Sequence, residues 1–410
     1  MTALGLLGYI SAALLLQLAV SAAVAVRNYH RRNVIHSDFS SSNHGPDILT
    51  YAWQGLREFR VVGREFEDSA QAVCSFYLEP MDALPLPHFL AGQFITVCLH
   101  IQDLKKQTKI VTRCYSLSNK PGLKNYRISI KRVLAPAKCP TALPGQVSNY
   151  FHDCIHEGDV INVRAPSGQF HIDSESNGSV VMIAGGIGIT PLLSMLLWCV
   201  EHQPTRVIHF YYGVKNSREQ AFKSLLESLV TQHANFHLTV VYSGPLEGDK
   251  LGTDHQHRGY IDIELLRRTL PHSAEQFYVC GPSAMMESIV SGLTEWGVSR
   301  KNIHYEAFGP ATIRSQPTKE DAGSNLVFEV KFQKSGRTLM WDGRDQNLLD
   351  FAEGNGIAIE AGCRAGSCGS CETKVVSGSV KYYQKPEYDI APGYCLLCVG
   401  RPDSTLVIQA

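Results

Sequence analysis

The stretch Glu360-Ala361-Gly362-Cys363-Arg364-Ala365-Gly366-Ser367-Cys368-Gly369-Ser370-Cys371 decides how the C-terminal part of this chain is read. Its three cysteines stand at C-x4-C-x2-C and further cysteines follow at Cys395 and Cys398, the plant-type spacing of a [2Fe-2S] cluster. Each iron of such a cluster takes two thiolates. A loop this short can wrap the cluster only where Gly362, Gly366 and Gly369 allow unusual torsions and bring amide N–H groups close to the sulfurs. A disulfide framework and a four-cysteine zinc site are the competing readings. Zinc sites usually pair two short C-x2-C knuckles, whereas here four residues separate the first two cysteines and the last ligand is isolated. Cys363, Cys368 and Cys371 are therefore read as metal ligands, with the fourth open between Cys395 and Cys398.

Working outward, residues 326–332 and 337–341 read as a hairpin and residues 347–355 as a short helix, so 325–410 is predicted as one domain behind a polar linker, 311–324. Ahead of the linker the pattern changes. Val180-Val181-Met182-Ile183-Ala184 reads as a buried strand, Gly185-Gly186-Ile187-Gly188-Ile189-Thr190-Pro191 as a tight glycine loop, and the apolar run 192–200 as a helix with Pro191 in its first turn. Further strands at 207–212, 238–242 and 276–280 alternate with helical stretches such as 219–230, which predicts an α/β domain with a parallel sheet over 176–310. The glycine loop is not Gly-x-Gly-x-x-Gly, and no acidic residue stands about 20 positions later, so the Rossmann fingerprint is absent. A strand-loop-helix of this form still aims backbone N–H groups at a pyrophosphate. Cys280-Gly281-Pro282-Ser283 ends a strand at the edge where such sheets bind ligands; a lone buried thiol is the plain alternative for Cys280.

Over 53–175, short alternating segments at 59–62, 73–78, 93–99 and 126–133 predict an antiparallel β-barrel. On one of its strands Arg113-Cys114-Tyr115-Ser116 would place Arg113 and Tyr115 on one face and Ser116 on the other. Later, Pro144-Gly145-Gln146-Val147-Ser148 precedes a helix for which Ser148 is a suitable N-cap, with free N–H groups that can hold a phosphate. His152 and His156, four apart, read as surface histidines because no carboxylate or third ligand accompanies them.

The whole chain has 410 residues, 44% hydrophobic and 19% charged, enough for several cores. Lys+Arg and Asp+Glu are equal at 38 each, so no basic signature points to nucleic acid. Reduced thiolates in the cluster motif argue for a reducing compartment. Residues 3–26 carry no charge, long enough for a transmembrane helix, and Arg27, Arg31 and Arg32 follow. That flank predicts an uncleaved single-pass membrane anchor over 1–26, with a tether over 27–52 and the catalytic part cytoplasmic. A cleaved signal peptide is the alternative, suggested by Ser21-Ala22-Ala23.

Barrel motif, glycine-loop domain and cysteine domain in this order resemble the ferredoxin-NADP reductase superfamily, in its subgroup with a C-terminal plant-type ferredoxin of β-grasp fold. The likeness spans about residues 53–410 and rests on four separate motifs. Gly393-Tyr394-Cys395-Leu396-Leu397-Cys398, ending at Pro402, is similar to the way plant-type ferredoxins present their last ligand, which implies Cys398 and leaves Cys395 a buried neighbour. The resemblance further implies flavin binding by Arg113, Tyr115 and Ser116 and by the helix start Gly145, Gln146, Val147 and Ser148. Many FAD-binding members carry Gly-Gly where this chain has Pro144-Gly145, so FAD is expected with FMN as the alternative. It implies nicotinamide-dinucleotide binding by Gly185, Gly186, Gly188, Thr190 and Pro191 with Cys280, Gly281 and Pro282. Glu306-Ala307-Phe308-Gly309 is similar to the segment closing over the flavin, with Phe308 near the ring system and Glu306 in a supporting polar role.

The implied activity is an oxidoreductase carrying hydride from a nicotinamide beside Thr190 and Cys280 to a flavin beside Ser116, then single electrons to the cluster. NADH is expected because the region after Tyr242-Ser243 lacks an arginine cluster for a ribose phosphate; Lys250, His255 and Arg258 keep NADPH open. The partner expected is a one-electron acceptor protein such as an oxygenase or desaturase component. Residues 325–410 hold ten acidic and nine basic residues, so docking need not use a strongly acidic face. A quinone or other small-molecule reductase is a second reading, and a membrane redox sensor or electron-relay adaptor a third.

Overall fold

The computed structural model describes residues 53, 55–102, 108–135, 144–271, 275–308, 327–364, 366, 368–383, 385–386 and 388–410. The expected anchor, the tether, the whole of the 311–324 linker and Gly309 lie outside the described residues. No described helix is long and apolar enough to cross a membrane.

Six strands open the described chain: β1 (Arg57–Phe66), β2 (Val73–Pro80), β3 (Phe94–Gln102), β4 (Thr108–Ser116), β5 (Tyr126–Lys131) and β6 (Val160–Ser167). They form one antiparallel sheet in the order β4-β3-β6-β1-β2-β5. Leu117, just past β4, bridges to Ile128 of β5 and so brings the two edge strands together, which closes the predicted barrel. Alternating inward residues such as Phe59, Val61, Phe76, Leu78, Ile95, Val97 and Ile128 fill it. Helix α1 (Gln146–Cys154) covers one end through Val147 and Phe151.

The second sheet is wholly parallel, in the order β10-β9-β8-β7-β11-β12. Its strands are β7 (Val180–Gly185), β8 (Ile208–Val214), β9 (Phe236–Tyr242), β10 (His257–Arg258), β11 (Gln276–Gly281) and β12 (Ile303–Ala307). Helices α2 (Ile189–His202), α3 (Lys223–Gln232), α4 (Ile263–Thr269) and α5 (Ser283–Glu295) connect them. The continuous apolar run of β7 follows from burial on both faces. Val180, Met182 and Ala184 join the core under α2, while Val181 and Ile183 join the core under α4 and α5. β8 leaves on one side of β7 and β11 arrives on the other, so the topological switch point lies at their carboxyl ends.

The last region holds β13 (Phe328–Phe332), β14 (Arg337–Trp341), α6 (Leu348–Gly354), β15 (Glu372–Ser377), β16 (Val380–Tyr382), β17 (Tyr394–Leu396), β18 (Gly400–Pro402) and β19 (Leu406–Ile408). β13 and β14 form the expected hairpin, and β13 pairs in parallel with the final strand β19. The cluster loop is carried between α6 and β15. Asn347 caps α6 by accepting from the Asp350 amide at 2.9 Å.

Two local expectations change. Ser148 is not the N-cap of α1: Gly145 holds that position, and Ser148 sits one turn in, donating to the Gly145 carbonyl at 3.2 Å and accepting from the Val133 amide at 3.3 Å. A side chain at Gly145 would meet Ser148 and Val133 below 3 Å, so close packing selects glycine there. His152 is not a surface histidine. It is buried, its Nε2 donates to the Ile130 carbonyl at 2.9 Å and burial holds its pKa below the ordinary value, whereas His156 is exposed beyond the helix end.

Candidate active site

Three groups of residues converge on the edge shared by the barrel, the parallel sheet and the cluster loop. The first lies on β4. Tyr115 and Arg113 occupy alternate positions on one face, paired across to Ile95 and Val97 of β3. Tyr115 packs edge-on against Phe151 of α1 with ring centroids 5.4 Å apart. Arg113 is exposed, with its guanidinium donating to the Thr112 carbonyl. The α1 start at Gln146, Val147 and Ser148 offers amides with no partner within the helix, the kind of site that holds a phosphate.

The second group is the switch point. Gly186–Gly188 form one turn that leads into α2, and Thr190 is buried with its hydroxyl donating to the Ile187 carbonyl at 3.0 Å. Pro191 is buried in the first turn of α2. Cys280, Gly281 and Pro282 press on this loop from β11: a Cβ on Gly188 would lie 2.2 Å from the Cys280 carbonyl oxygen, and one on Gly185 would lie 2.7 Å from Pro282. Two backbones this close leave a cradle that only glycine permits. Cys280 is fully buried, which pushes its thiol far above the usual range. In register beside it on β12 is Glu306. Ser116 donates to the Glu306 carboxylate at 3.5 Å, so β4 and β12 meet here. Burial, with the charge of Cys363 added, pushes Glu306 up to about 8.

The third group is the cysteine loop. The Cys363 amide donates to the Cys368 sulfur at 3.2 Å, and the Cys398 amide to the Cys371 sulfur at 3.5 Å. The Cys398 thiol is pushed up by contact with the Cys363 and Cys371 sulfurs, while Cys371 is held low by the bond from Cys398. These four thiols, with the backbone N–H groups donating to two of them, are a residue set that fits an iron–sulfur cluster, although among the described residues no three His, Cys, Asp or Glu side chains are already gathered around one metal position. Gly366 and Gly369 take positive φ of 77° and 73°, and a Cβ on Gly362 would meet the Cys368 sulfur at 2.8 Å. Cys395 is also buried but sits on β17 opposite Thr373.

Phe94, Arg113, Cys114, Ser116, Glu306 and Phe308 face Cys363 and Arg364 across a cleft of about 360 Å³. Phe308 is 40% exposed at its rim, an unusual state for a large aromatic ring and suited to covering a planar ligand. The cleft joins the flavin motif to the cluster loop in one space.

Several contributors carried no signal of their own in the sequence. Arg364, in a left-handed conformation at φ 55°, ties the loop to α6 by donating to Glu353 at 2.6 Å and lying 3.6 Å from Asp350. Arg164 of β6 stacks over the Tyr388 ring at 5.7 Å, and Cys114 lines the same cleft as Cys363. Cys114 could have been noticed as the unassigned member of the Arg113–Ser116 tetrad; the others become visible only when distant segments meet. Of the three residues weighed for a ribose phosphate, His255 is buried against the Tyr242 ring at 4.6 Å, while Lys250 and Arg258 are exposed.

Family models match in the same three regions: an oxidoreductase FAD-binding domain at residues 59–172, an oxidoreductase NAD-binding domain at 182–291 and a 2Fe-2S iron-sulfur cluster binding domain at 330–403. This chain is an oxidoreductase built from FAD-, NAD- and [2Fe-2S]-binding domains. A flavohemoprotein of Bacillus cereus (strain ATCC 10987 / NRS 248) is 38% identical over 259 residues, 63% of this chain. The chain spans 62% of the length of that relative. The FAD/NAD binding domain of nitric oxide dioxygenase from Vibrio cholerae O1 biovar El Tor is similar at a TM-score of 0.54 and 29% identity, covering 62% of this chain and 99% of that one. Phthalate dioxygenase reductase, described as a modular structure for electron transfer from pyridine nucleotides to [2Fe-2S], is similar over 87% of this chain and 98% of its own, at a TM-score of 0.50 and 25% identity. The first solved structure accounts for the flavin and nucleotide domains, and the second extends into the iron–sulfur domain.

Proposed function

We propose that this oxidoreductase takes electrons from NADH and delivers them singly, through its [2Fe-2S] domain, to a separate acceptor protein of the oxygenase type. The observation that carries this reading is the common cleft in which Ser116 and Glu306 face Cys363 and Arg364. The cofactors supply the redox chemistry: a nicotinamide gives two electrons as hydride, a [2Fe-2S] centre passes one at a time, and a flavin exchanges with both.

The residues bind, orient and exclude water. Arg113 and the amides at Gln146–Ser148 are placed to hold the flavin phosphates, with Tyr115 as an aromatic wall fixed by Phe151. The cradle of Gly185, Gly186 and Gly188 against Gly281 and Pro282 receives the dinucleotide, and Thr190 anchors the loop through its bond to Ile187. Ser116 presents its hydroxyl at the inner wall, oriented by Glu306. Phe308, exposed at the rim, is placed to cover a planar ring in the cleft. Cys363, Cys368, Cys371 and Cys398 would hold a [2Fe-2S] cluster, and Cys363 of that set lines the same cleft.

NADH is preferred over NADPH because a ribose phosphate would find only the exposed Lys250 and Arg258, with His255 buried. The similarity of phthalate dioxygenase reductase across both the flavin-nucleotide region and the iron–sulfur domain favours an oxygenase-type acceptor over a quinone. The charge-free stretch at 3–26 supports a single-pass anchor with the catalytic part on the cytoplasmic side.

The test is an anaerobic titration of residues 45–410 with NADH and separately NADPH, following flavin and iron–sulfur absorbance. Bleaching of both chromophores by substoichiometric NADH is expected. Bleaching of the flavin with the cluster left oxidised would overturn the reading and favour a sensor or partner-gated relay. Rapid turnover with short-chain quinones, without any protein acceptor, would favour the quinone reductase.

A further inference from the structure

Helix α2 starts at the nucleotide cradle, ends at the segment 173–178 that joins the barrel to the parallel sheet, and touches the barrel in between. Ser194, fully buried in the middle of the helix, donates from its hydroxyl to the Asn119 carbonyl at 2.7 Å. Asn119 follows Ser116 of the flavin motif by three residues. Its side chain is tied at both atoms: Nδ2 donates to the Asn125 carbonyl at 2.9 Å, and Oδ1 accepts from the Arg127 amide at 3.3 Å. The next helix residue, Met195, reaches the turn before β3, where a Cβ on Gly92 would lie 2.5 Å from its Cε. Ser194 stands four residues after Thr190, so the two share one face of α2, about 6 Å apart along its axis. At the far end of α2, Gln203 Nε2 donates to the Ser174 and Ser176 carbonyls at 3.1 and 3.0 Å. Arg206, almost wholly buried, donates to the Gly178 carbonyl at 2.8 Å and the Asp173 carbonyl at 3.1 Å.

We propose that Ser194 is a positioning residue for hydride transfer: its bond to Asn119 fixes the spacing between the nucleotide cradle and the flavin strand. The inference rests on the proposed function, since it requires a nicotinamide at Thr190 and a flavin at Ser116. The reaction moves two electrons and one proton together from nicotinamide to flavin, oxidising the first and reducing the second, and its rate falls steeply when the two are set apart. A mount for such a reaction has to be stiff and close to the reacting groups. The Ser194–Asn119 bond lies one helical turn from Thr190 and three residues from Ser116. Its donor sits among the buried Leu192, Leu193 and Met195, and its acceptor is main chain held in place by the Asn119 side chain. A second polar contact of α2 with the barrel, Lys120 with Glu201 at 2.6 Å, has side chains 33% and 46% exposed, where solvent screening leaves an ion pair little hold. Without the hydroxyl, the Asn119 carbonyl loses a buried donor, and the helix has to shift or admit water. The Gln203 and Arg206 bonds still pin the far end, so the shift is felt at the near end, where Thr190 and the glycine cradle lie.

The experiment is stopped-flow reduction of the flavin by NADH in the full 410-residue holoprotein, as wild type, Ser194→Ala, Ser194→Cys and Glu201→Gln, with hydrogen–deuterium exchange of the same proteins measured without nucleotide. Ser194→Ala is expected to lower the flavin reduction rate at saturating NADH by about tenfold and to leave the NADH dissociation constant within about twofold. Exchange in that variant is expected to speed up at residues 118–120 and in the first turn of α2. Ser194→Cys, a weak donor of similar size, is expected between alanine and wild type, and carries the test if the alanine variant fails to fold. Glu201→Gln is expected at the wild-type rate. A saturated rate unchanged in Ser194→Ala or in Ser194→Cys overturns the proposal, as does a loss confined to NADH affinity or a Glu201→Gln variant slowed as much as alanine. A wild-type flavin that NADH does not reduce overturns the functional reading instead, which keeps the two failures apart.

Discussion

Cys398 and Cys395 lie three positions apart and are equally buried, yet their surroundings differ. The Cys398 amide and sulfur face Cys371 and Cys363, while Cys395 is committed to the β15–β17 pair. Cys398→Ser is expected to abolish the visible absorbance of the cluster and to lower the iron content to about half or less, and Cys395→Ser to retain both; iron and sulfide analysis of the purified variants checks this. His152 provides a pH signature. Its native pKa is depressed by burial, and Nδ1 has no hydrogen-bond partner, so the native ring stays neutral while the unfolded chain takes up a proton near 6.5. The unfolded state then binds more protons, and stability falls as pH drops below about 6.5 until the native ring also titrates. The thermal midpoint should decline between pH 7 and 5, and the slope should be shallower in His152→Phe.

At the scale of elements, the β7–α2 and β11–α5 turns illustrate what the glycines do. Gly188 is demanded by the Cys280 carbonyl, since any Cβ would come within 2.2 Å of backbone oxygen that cannot move alone. Gly188→Ala is expected to force the two turns apart and weaken NADH binding at least tenfold, with flavin and cluster absorbance retained; equilibrium titration with NADH reads the result. The helix α1 works differently. Its start depends on the Gly145 N-cap packed against Val133, and the Ser148 hydroxyl is taken up by bonds within the chain.

For the whole molecule, function depends on how the domains meet. The barrel and the parallel sheet are joined by polar contacts such as Ser194 to the Asn119 carbonyl at 2.7 Å and the Tyr278 hydroxyl with the Asp173 amide at 3.0 Å. The seam with the cysteine domain includes the Arg164–Tyr388 stack, an interaction of about 0.5–1 kcal/mol at a partly exposed position. Removing it should loosen the seating of the loop without touching a cluster sulfur. Arg164→Ala is expected to slow reduction of the cluster by the flavin severalfold in stopped-flow experiments while leaving reduction of the flavin by NADH near its original rate.

The sequence by itself determined the three domain types and the order of the motifs. Cysteine spacing, glycine loops and apolar periodicity are local properties, and the energetic demands behind them, thiolates for iron, free amides for phosphate and paired faces for a sheet, are met within a few neighbouring residues. It also pointed to Arg113, Ser116, Cys280 and Glu306 through motif likeness, without showing that Ser116 and Glu306 touch. Tertiary structure alone decided what depends on surroundings. His152 reads as polar in sequence but is buried by β5 and Phe66, and Ser148 is displaced from the cap by the approach of Val133. Cys114 comes to line the same cleft as Cys363, 249 positions away, because β4 lies against the cysteine loop. Burial and long-range contact are set by the packing of whole domains, so the residues that meet across the cleft have no local pattern to announce them.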